Sequence, residues 1–430
     1  MNRSSRSKVV LSATITASVA LALTGCAGGG NDAAASDSIN VVTRWASGSP
    51  EAEAQQRVLD AFTAETGIKV TLTEGLENID DQVETAVAAG KSPDLVIVNL
   101  YDKTLGWLDA GVTVAADDYV SDWGLDIDAS ALDEWRVGGA SDGALQGLPF
   151  SGFNWPIWYN TKLLADAGVD AVPTTTDELI DAAKKLRAAG IAPFVMGGND
   201  WSGQKLFYQI IQSFTKADEA KQVMQEGGYC ASDSFVKGIE LFTELRDAGV
   251  FVDNVAGFTA DDMYATYNAG EAAIMSGGSW AFAATVDAGN DVAANTTLGG
   301  FPLPDGSVFD APTAFQGFTG VGFMVTKKGA EAGHIENVEK LVKAFYADGA
   351  IGDFVKTANL VTPVAGDFSA SATNPLLQSA LALGDSVSYA VLPDVWIGSA
   401  SDPLIQVITQ AYGGGDAQTI CAGLDKATQG

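Results

Sequence analysis

The sequence predicts an α/β protein with two lobes, on the basis of its length and of two stretches in which strand and helix patterns alternate. At 430 residues, the chain exceeds the roughly 250–300 residues at which a single hydrophobic core tends to divide. The first alternating stretch covers residues 39–98, and the second covers about 175–275. Such alternation is typical of sheets covered by helices. We therefore expect two lobes, each built around its own sheet.

The first stretch has the order βαβαβ. Ser49 and Pro50 supply an N-cap and a first-turn proline for its first helix, and Gly67 ends that helix. The third strand is continuously apolar, as expected for a strand that is buried on both faces of a sheet. The order predicts parallel strands joined by right-handed crossovers. The strands are expected at residues 39–45, 68–73 and 94–98.

The second stretch opens with a capping box, in which Thr175 and Glu178 precede a helix that Gly190 ends. Between the two stretches, residues 148–159 are rich in proline and aromatic side chains and have little helical period. From about residue 335 the tail is mostly helical. Further strands are expected at 192–196, 272–275, 297–303 and 318–325, and further helices at about 202–215, 235–248 and 259–268.

The N-terminus has the organisation of a secretory signal. Basic residues come first, an apolar segment ending at Leu23 follows, and no acidic residue precedes Cys26. The run Leu23-Thr-Gly-Cys26 resembles a bacterial lipobox, in which the cysteine receives a lipid and becomes the mature N-terminus. An ordinary signal peptide that contains a cysteine is the alternative. We predict a lipoprotein signal peptide at 1–25 and a flexible tether at 26–38, with lipidated Cys26 holding the protein on the extracytoplasmic face of the cell membrane.

Composition argues against several classes of function. The net charge is −30 and basic residues do not cluster, so nucleic acid is not an expected partner. The chain contains one histidine, His334, and has no phosphate-binding, dinucleotide or calcium-loop motif. We therefore expect no metal, no cofactor and no catalytic residue. A disulfide between Cys230 and Cys421 is favoured, and two buried free thiols are the alternative.

Several short segments, in a fixed order from about residue 39 to the tail, together resemble one family. They are Phe62-Thr-Ala-Glu-Thr-Gly67, Ala88-Ala-Gly-Lys-Ser-Pro-Asp94, Tyr159-Asn-Thr-Lys162, Gly270-Glu-Ala-Ala-Ile-Met275 with Gly278-Ser-Trp280, and Gly320-Val-Gly322. The ordered set, behind a lipobox, resembles the carbohydrate-binding family of extracellular solute-binding proteins that serve ABC importers.

The resemblance implies a periplasmic-binding-protein-like fold of type II, with two α/β lobes, a hinge and a ligand cleft between the lobes. It implies an N-terminal lobe of residues 39–149 plus 276–322 and a second lobe of residues 150–275 plus 323–430. It also implies that a sugar or oligosaccharide closes the lobes and is delivered to the permease subunits of an ABC transporter. We expect the protein to act as a monomer.

A sugar site needs aromatic rings against the C–H faces of the ligand, and amide or carboxylate groups for its hydroxyls. In open α/β sheets, ligands bind beyond the carboxyl ends of the strands. We therefore selected aromatic and polar residues near predicted strand ends, at the first presumed crossing between lobes (Asn154 and Trp155) and in a proline-bounded loop of the C-terminal part (Trp396). The alternative roles are core packing for Trp45, a wedge between lobes for Trp280, packing against the body for Trp396, and turn or helix capping for the Asn and Asp residues. The candidate ligand-binding residues are Trp45, Asn99, Asp102, Asn154, Trp155, Asn199, Asp200, Trp201, Trp280 and Trp396.

Two other functions stay open from the sequence. A secreted glycoside hydrolase also uses aromatic side chains and needs only two carboxylates, and this chain has 54 acidic residues. A binder of polyamines, peptides or metal chelates on the same fold is the third reading. The βαβαβ start, the tether and the family segments favour a binding protein, and nine tryptophans favour sugars.

Overall fold

The computed structural model describes residues 38–75, 78–136 and 143–429. The expected signal peptide, Cys26 and the tether up to residue 37 lie outside this part of the chain. Within it, no helix combines the length and the apolar composition that crossing a membrane requires. The described strands form two separate sheets, as the two alternating stretches predict.

Strands and helices alternate along most of the chain. The strands are β1 (Ser38–Thr43), β2 (Lys69–Glu74), β3 (Leu95–Val98), β4 (Leu148–Trp155), β5 (Ile157–Asn160), β6 (Ala192–Val195), β7 (Ala272–Ser276), β8 (Thr296–Gly299), β9 (Thr313–Val325) and β10 (Ser388–Tyr389). The helices are α1 (Pro50–Thr66), α2 (Ile79–Ala88), α3 (Asp102–Leu105), α4 (Asp117–Asp122), α5 (Ala129–Glu134), α6 (Thr161–Asp166), α7 (Thr176–Ala188), α8 (Trp201–Ile211), α9 (Ala217–Glu226), α10 (Asp233–Asp247), α11 (Ala260–Asn268), α12 (Phe282–Asp287), α13 (Ile335–Phe345), α14 (Asp348–Ala358), α15 (Pro375–Leu381), α16 (Asp394–Ile397), α17 (Ser401–Gly413) and α18 (Ala417–Gln429).

The first sheet contains the predicted βαβαβ unit. Strand β1 pairs in parallel with both β2 and β3, as the sequence predicts. The long strand β9 lies antiparallel to β3 and to β4, so the sheet is mixed rather than purely parallel. The strand order is β10-β9-β3-β1-β2, with β4 paired to β9.

The second sheet has the order β6-β7-β5-β8. Strands β6 and β7 are parallel, whereas β5 runs antiparallel to its neighbours β7 and β8. Helices α7 and α11 pack against β6 of this sheet, and α8 packs against α10 and α17. The second alternating stretch of the sequence therefore supplies most of this lobe.

The helix termini predicted from the sequence are confirmed. The Ser49 hydroxyl accepts a hydrogen bond from the N–H of Ala52 (3.1 Å) at the start of α1. Helix α1 ends at Gly67, whose φ of 73° is a conformation that glycine adopts without strain. Thr175 and Glu178 form the expected capping box of α7. These short-range signals fix the ends of both helices.

Two segments differ from the sequence expectation. Residues 148–159 form consecutive strands, β4 and β5, which explains why they show no helical period. Helix α9 is not predicted, although it buries three apolar side chains on one face. These side chains are Ala220, Val223 and Met224.

The strand pairing divides the chain differently from the lobe boundaries that the resemblance implies. Strand β8, within the segment 276–322 expected in the N-terminal lobe, pairs with β5 in the second sheet. Helices α13 and α14, within the segment 323–430 expected in the second lobe, pack on α1 beside the first sheet. The reason is aromatic packing, since Phe345 lies 5.0 Å from Phe323 between ring centroids, and Phe354 lies 5.1 Å from Phe150.

A disulfide joins Cys230 to Cys421, whose Cα atoms are 5.1 Å apart, and this confirms the predicted pairing. On the same helix as Cys421, Asp425 accepts hydrogen bonds from the N–H groups of Gly228 (2.7 Å) and Tyr229 (2.6 Å). The covalent bridge and the carboxylate together hold α18 against the turn that precedes α10.

Candidate functional site

Three tryptophans from distant parts of the chain lie together where the chain first crosses between the sheets. Trp155 ends β4, Trp201 begins α8, and Trp280 lies in a 3-10 turn after β7. The ring centroid of Trp155 is 5.5 Å from that of Trp201 and 5.1 Å from that of Trp280. The centroids of Trp201 and Trp280 are 6.0 Å apart. We call these three side chains the tryptophan patch, and all three are predicted ligand residues.

Trp155 forms the floor of the patch. It is fully buried, and its indole N–H donates a hydrogen bond to the hydroxyl oxygen of Ser276 at the end of β7 (2.7 Å). Phe153, two residues earlier on the same side of the strand, packs edge-on against Trp155 and Trp280 at 6.2 and 5.4 Å. The ring of Trp155 is therefore fixed by both its polar atom and its neighbours.

Trp201 is positioned by the capped start of α8. The Asp200 carboxylate accepts hydrogen bonds from the N–H (2.9 Å) and the hydroxyl (2.7 Å) of Ser202, and its other oxygen accepts one from the N–H of Ala260 (2.5 Å). Asp200 therefore joins the first turns of α8 and α11. Asp200 therefore has the helix-capping role that was its alternative in the sequence. The cap fixes the N-terminus of α8, where Trp201 is the first residue.

Trp280 is held by the glycine-rich turn after β7. A Cβ atom at Gly278 would lie 2.3 Å from ring atoms of Trp280, so only glycine allows the indole to fold back over this turn. The Tyr264 hydroxyl accepts a hydrogen bond from the N–H of Gly278 (3.3 Å). The turn that carries the indole is thus held by a side chain of α11.

The two outer tryptophans are unusually exposed for such large apolar side chains. The exposed fraction is 38% for Trp201 and 37% for Trp280. Adjacent exposed apolar groups of this size are typical of binding surfaces, because leaving them in water is unfavourable. The patch offers flat apolar faces to a ligand, and polar groups lie at its edge.

A buried ion pair lies at one edge of the patch. Lys205, one turn after Trp201 on α8, contacts the carboxylate of Asp394 in α16, and its ammonium nitrogen lies 6.0 Å from the ring centroid of Trp155. The Thr319 hydroxyl of β9 donates a hydrogen bond to the other Asp394 oxygen (3.0 Å). This network joins helices that pack beside the second sheet to a strand of the first.

Burial and pairing have opposing effects on the pKa of Lys205. Burial lowers the pKa of the Lys205 ammonium. The carboxylate of Asp394 in direct contact opposes this shift, because it stabilises the charged form. Sequence reasoning missed both residues. The spacing of four between Trp201 and Lys205 was the only local signal, since Asp394 is 189 residues from Lys205.

Two predicted amide residues, Asn154 and Asn99, lie on or just beyond strands of the first sheet. Asn154 is 4% exposed, and its side-chain oxygen has no hydrogen-bond partner among the residues that the structure describes. Asn99 accepts a hydrogen bond from the Arg44 guanidinium beyond the ends of β1 and β3. The next residue, Leu100, donates its N–H to the carbonyl of Thr319 (3.1 Å). The residue after Asn99 is therefore bonded to Thr319, whose hydroxyl donates to Asp394.

The remaining candidates make no described ring contact with the patch, or their side chains lie outside the description. Trp45 is buried against Phe150 and Phe354 in the core beside the first sheet. Trp396 packs under the ammonium of Lys221 on α9, 5.2 Å from nitrogen to ring centroid. Asn199 is exposed in the turn before α8, and the side chain of Asp102 is outside the described part.

The described residues contain no group of three or more His, Cys, Asp or Glu side chains that could hold a metal ion. The histidine of the chain, His334, instead lies 3.0 Å from a carboxylate oxygen of Asp94, between its Nδ1 atom and Oδ1. Asp94 immediately precedes β3, so this contact links the start of α13 to the start of β3.

The sequence matches the family of bacterial extracellular solute-binding proteins over residues 46–351. A probable secreted solute-binding lipoprotein of Streptomyces coelicolor is 38% identical, and the match covers 93% of this chain and 100% of that chain with a TM-score of 0.82. A chitin oligosaccharide binding protein of known structure is 23% identical over 91% of this chain and 98% of that chain, with a TM-score of 0.78. The latter likeness shows the fold alone.

Curated relatives match over shorter segments. A probable sugar-binding periplasmic protein of Rhizobium meliloti is 28% identical over 165 residues, which are 37% of this chain and 38% of that protein. The chain thus matches less than half the length of these curated relatives. The structural matches confirm the expected two-lobe α/β fold of periplasmic binding proteins. The chain belongs to the family of bacterial extracellular solute-binding proteins.

Proposed function

We propose that the protein is the substrate-binding component of an ABC importer, and that it captures a sugar or oligosaccharide outside the membrane and passes it to the permease. The single observation that carries this proposal is the tryptophan patch, in which the exposed indoles of Trp201 and Trp280 flank the buried indole of Trp155. Sugars present flat C–H faces to such rings and hydroxyl edges to neighbouring polar groups.

The patch has enough exposed apolar surface to support useful affinity. An exposed third of an indole corresponds to roughly 80–90 Å². Covering that area contributes about 2 kcal/mol for each of Trp201 and Trp280, at 25 cal/mol per Å². Hydrogen bonds at the edge, to Lys205, Asp394 or the Asn154 amide, then select among sugars of similar shape.

The carboxylates beside the patch support binding rather than hydrolysis. A glycoside hydrolase needs one carboxyl group that is free to donate a proton and a second that attacks or activates water. Asp200 is occupied by backbone and hydroxyl hydrogen bonds, and Asp394 is paired with Lys205. Incubation with oligosaccharides should therefore give stoichiometric binding with no product, and turnover would support the hydrolase instead.

Ligand closure follows from two lobes that are joined by crossings of the chain. A sugar that contacts residues of both lobes stabilises the closed arrangement, and the permease then distinguishes closed from open protein. A thermal-shift screen of mono- and oligosaccharides tests the binding step. A ligand at 100 times its dissociation constant should stabilise the protein by about 2.7 kcal/mol. A panel in which no carbohydrate shifts the transition would contradict the proposal.

The N-terminal segment supports a membrane-anchored receptor. We include in the proposal the lipoprotein signal at 1–25 and lipidation of Cys26, with delivery of captured sugar near the transporter. In the native host, Cys26→Ser should release intact, ligand-competent protein into the medium. A variant that stays with the membrane would show that another feature anchors the chain.

A further inference from the structure

The Lys205–Asp394 ion pair is mostly withdrawn from water at the edge of the tryptophan patch. The exposed fractions of the two side chains are 9% and 15%. Thr319 completes the group by donating its hydroxyl to Asp394. A ligand at this edge therefore meets one positive and one negative side chain, whose charges cancel.

The pair is directly coupled to the patch. Lys205 lies four residues after Trp201, so both side chains lie on the same face of α8. Its ammonium nitrogen is 6.0 Å from the ring centroid of Trp155, within the range of cation–π attraction. The charge balance of Lys205 and Asp394 therefore sets the electrostatic potential at the floor of the patch.

A charged ligand group would be poorly matched to this arrangement. Such a group has to leave water when it lies on the indoles, and each charge of the pair already has its counter-charge. An uncharged hydroxyl loses less on leaving water. It can also accept from the ammonium and donate to the carboxylate.

We infer that Lys205 and Asp394 are specificity-determining residues, which match the tryptophan patch to uncharged saccharides and disfavour both uronic acids and amino sugars. This inference rests on the proposed sugar-binding function and names its class of ligand. The net charge of −30 by itself predicts a preference for cationic sugars, because a negative protein attracts them. Rejection of a cationic sugar is therefore diagnostic of the local pair.

The wild-type protein gives the first test by calorimetry. The probes are trimers of glucose, xylose, galactose and N-acetylglucosamine, compared with trimers of galacturonic acid and glucosamine, at about 0.15 M salt to screen the net charge. At least one neutral trimer should bind about tenfold or more tightly than either charged trimer. A charged trimer that binds as tightly as the best neutral one overturns the inference but leaves the sugar-binding function standing. Binding of none contradicts both.

Charge variants give the second test. Asp394→Asn leaves the ammonium unbalanced, and should raise the affinity for the galacturonic acid trimer relative to the best neutral trimer by about tenfold. Lys205→Met should do the same for the glucosamine trimer. Lys221→Met removes a lysine that lies over Trp396, outside the patch, and should leave both ratios unchanged. Unchanged ratios in folded Asp394→Asn and Lys205→Met proteins, or an equal change in Lys221→Met, overturn the inference.

Discussion

The backbone N–H of Asn154 donates a hydrogen bond to the hydroxyl oxygen of Ser279, at 3.3 Å. This bond joins the strand that carries Trp155 to the turn that carries Trp280. Both residues are buried, so neither partner has ready access to water as a substitute. The relative position of two rings in the patch therefore depends on a contact between residues 125 positions apart in the chain.

Replacing Ser279 with alanine should weaken ligand binding without removing any ring. The Asn154 N–H would lose its acceptor, and the turn that carries Trp280 would lose its link to β4. We expect the sugar affinity to fall by about two- to tenfold, and the free energy of unfolding by about 1–3 kcal/mol. Ser307→Ala is the matched control. The Ser307 hydroxyl also makes hydrogen bonds to the backbone, with the carbonyl of Ser213 and the N–H of Phe309, but neither partner belongs to the patch. An equal loss of affinity in both variants would show that the effect is general destabilisation.

Gly278→Ala should displace Trp280 from its position. The added Cβ would lie 2.3 Å from the indole, so the ring must move away from Trp155. We expect a loss of sugar affinity close to that of Trp280→Ala, measured by calorimetry. Gly257→Ala adds the same methyl where nothing lies within 4 Å, and should leave the affinity unchanged. A Gly278→Ala protein with wild-type affinity would rule out this role of the turn.

Glu134 should make stability depend on pH. Burial raises the pKa of its carboxyl to about 7, against the hydrogen bond that it accepts from the Phe318 N–H (2.6 Å). Because the folded-state pKa lies above the unfolded value, the stabilising contribution is complete below about pH 4.5 and is lost as the pH rises through 7. This group should therefore lower the free energy of unfolding by roughly 2 kcal/mol between pH 5 and pH 8.

Glu134→Gln tests that pH dependence by urea unfolding at both pH values. The amide can still accept the hydrogen bond from Phe318 but does not titrate, so the variant should be stabilised relative to wild type at pH 8 more than at pH 5. Asp133→Asn changes an exposed neighbour on the same helix and should follow wild type. Identical pH profiles for wild type and Glu134→Gln would contradict the expectation.

Removing the disulfide should destabilise the protein but spare the site. The bridge closes a long loop, because Cys230 and Cys421 are 191 positions apart in the chain, and it holds α18 in place. The double serine variant should lose about 2–5 kcal/mol of unfolding free energy, measured with urea. Its sugar affinity at 20 °C should match wild type, because the bridge joins α18 to the turn before α10, and neither carries a residue of the tryptophan patch. A large loss of affinity in a folded variant would show that α18 supports the site.

Local signals in the sequence predicted much of the fold. The caps Ser49 and Thr175 act within four residues of themselves, so their effect can be predicted without knowing the tertiary structure. The parallel order of β1 to β3 follows from the alternation of strands and helices. The course of the chain after residue 276 could not be predicted in the same way. It depends on pairing between strands far apart in sequence, such as β8 with β5.

The sequence also predicted only part of the candidate site. The first presumed crossing indicated Trp155, and strand ends and a glycine-rich turn indicated Trp201 and Trp280, but a strand end also selected Trp45. Trp45 is distinguished by its contacts with Phe150 and Phe354, which lie far along the chain and which no local pattern reveals. The Lys205 partner Asp394 was missed for the same reason.

The most direct test of the account is calorimetric titration of Trp201→Ala and Trp280→Ala with the best-binding oligosaccharide. Each substitution removes one exposed ring of the patch, and each should weaken binding by about 1–3 kcal/mol. Trp123→Ala is the control, because it removes a tryptophan that stacks on Tyr119, with ring centroids 4.4 Å apart, and on no ring of the patch, and it should bind as wild type does. Wild-type affinity in both patch variants, or a loss confined to Trp123→Ala, would contradict the central claim that the tryptophan patch binds the ligand.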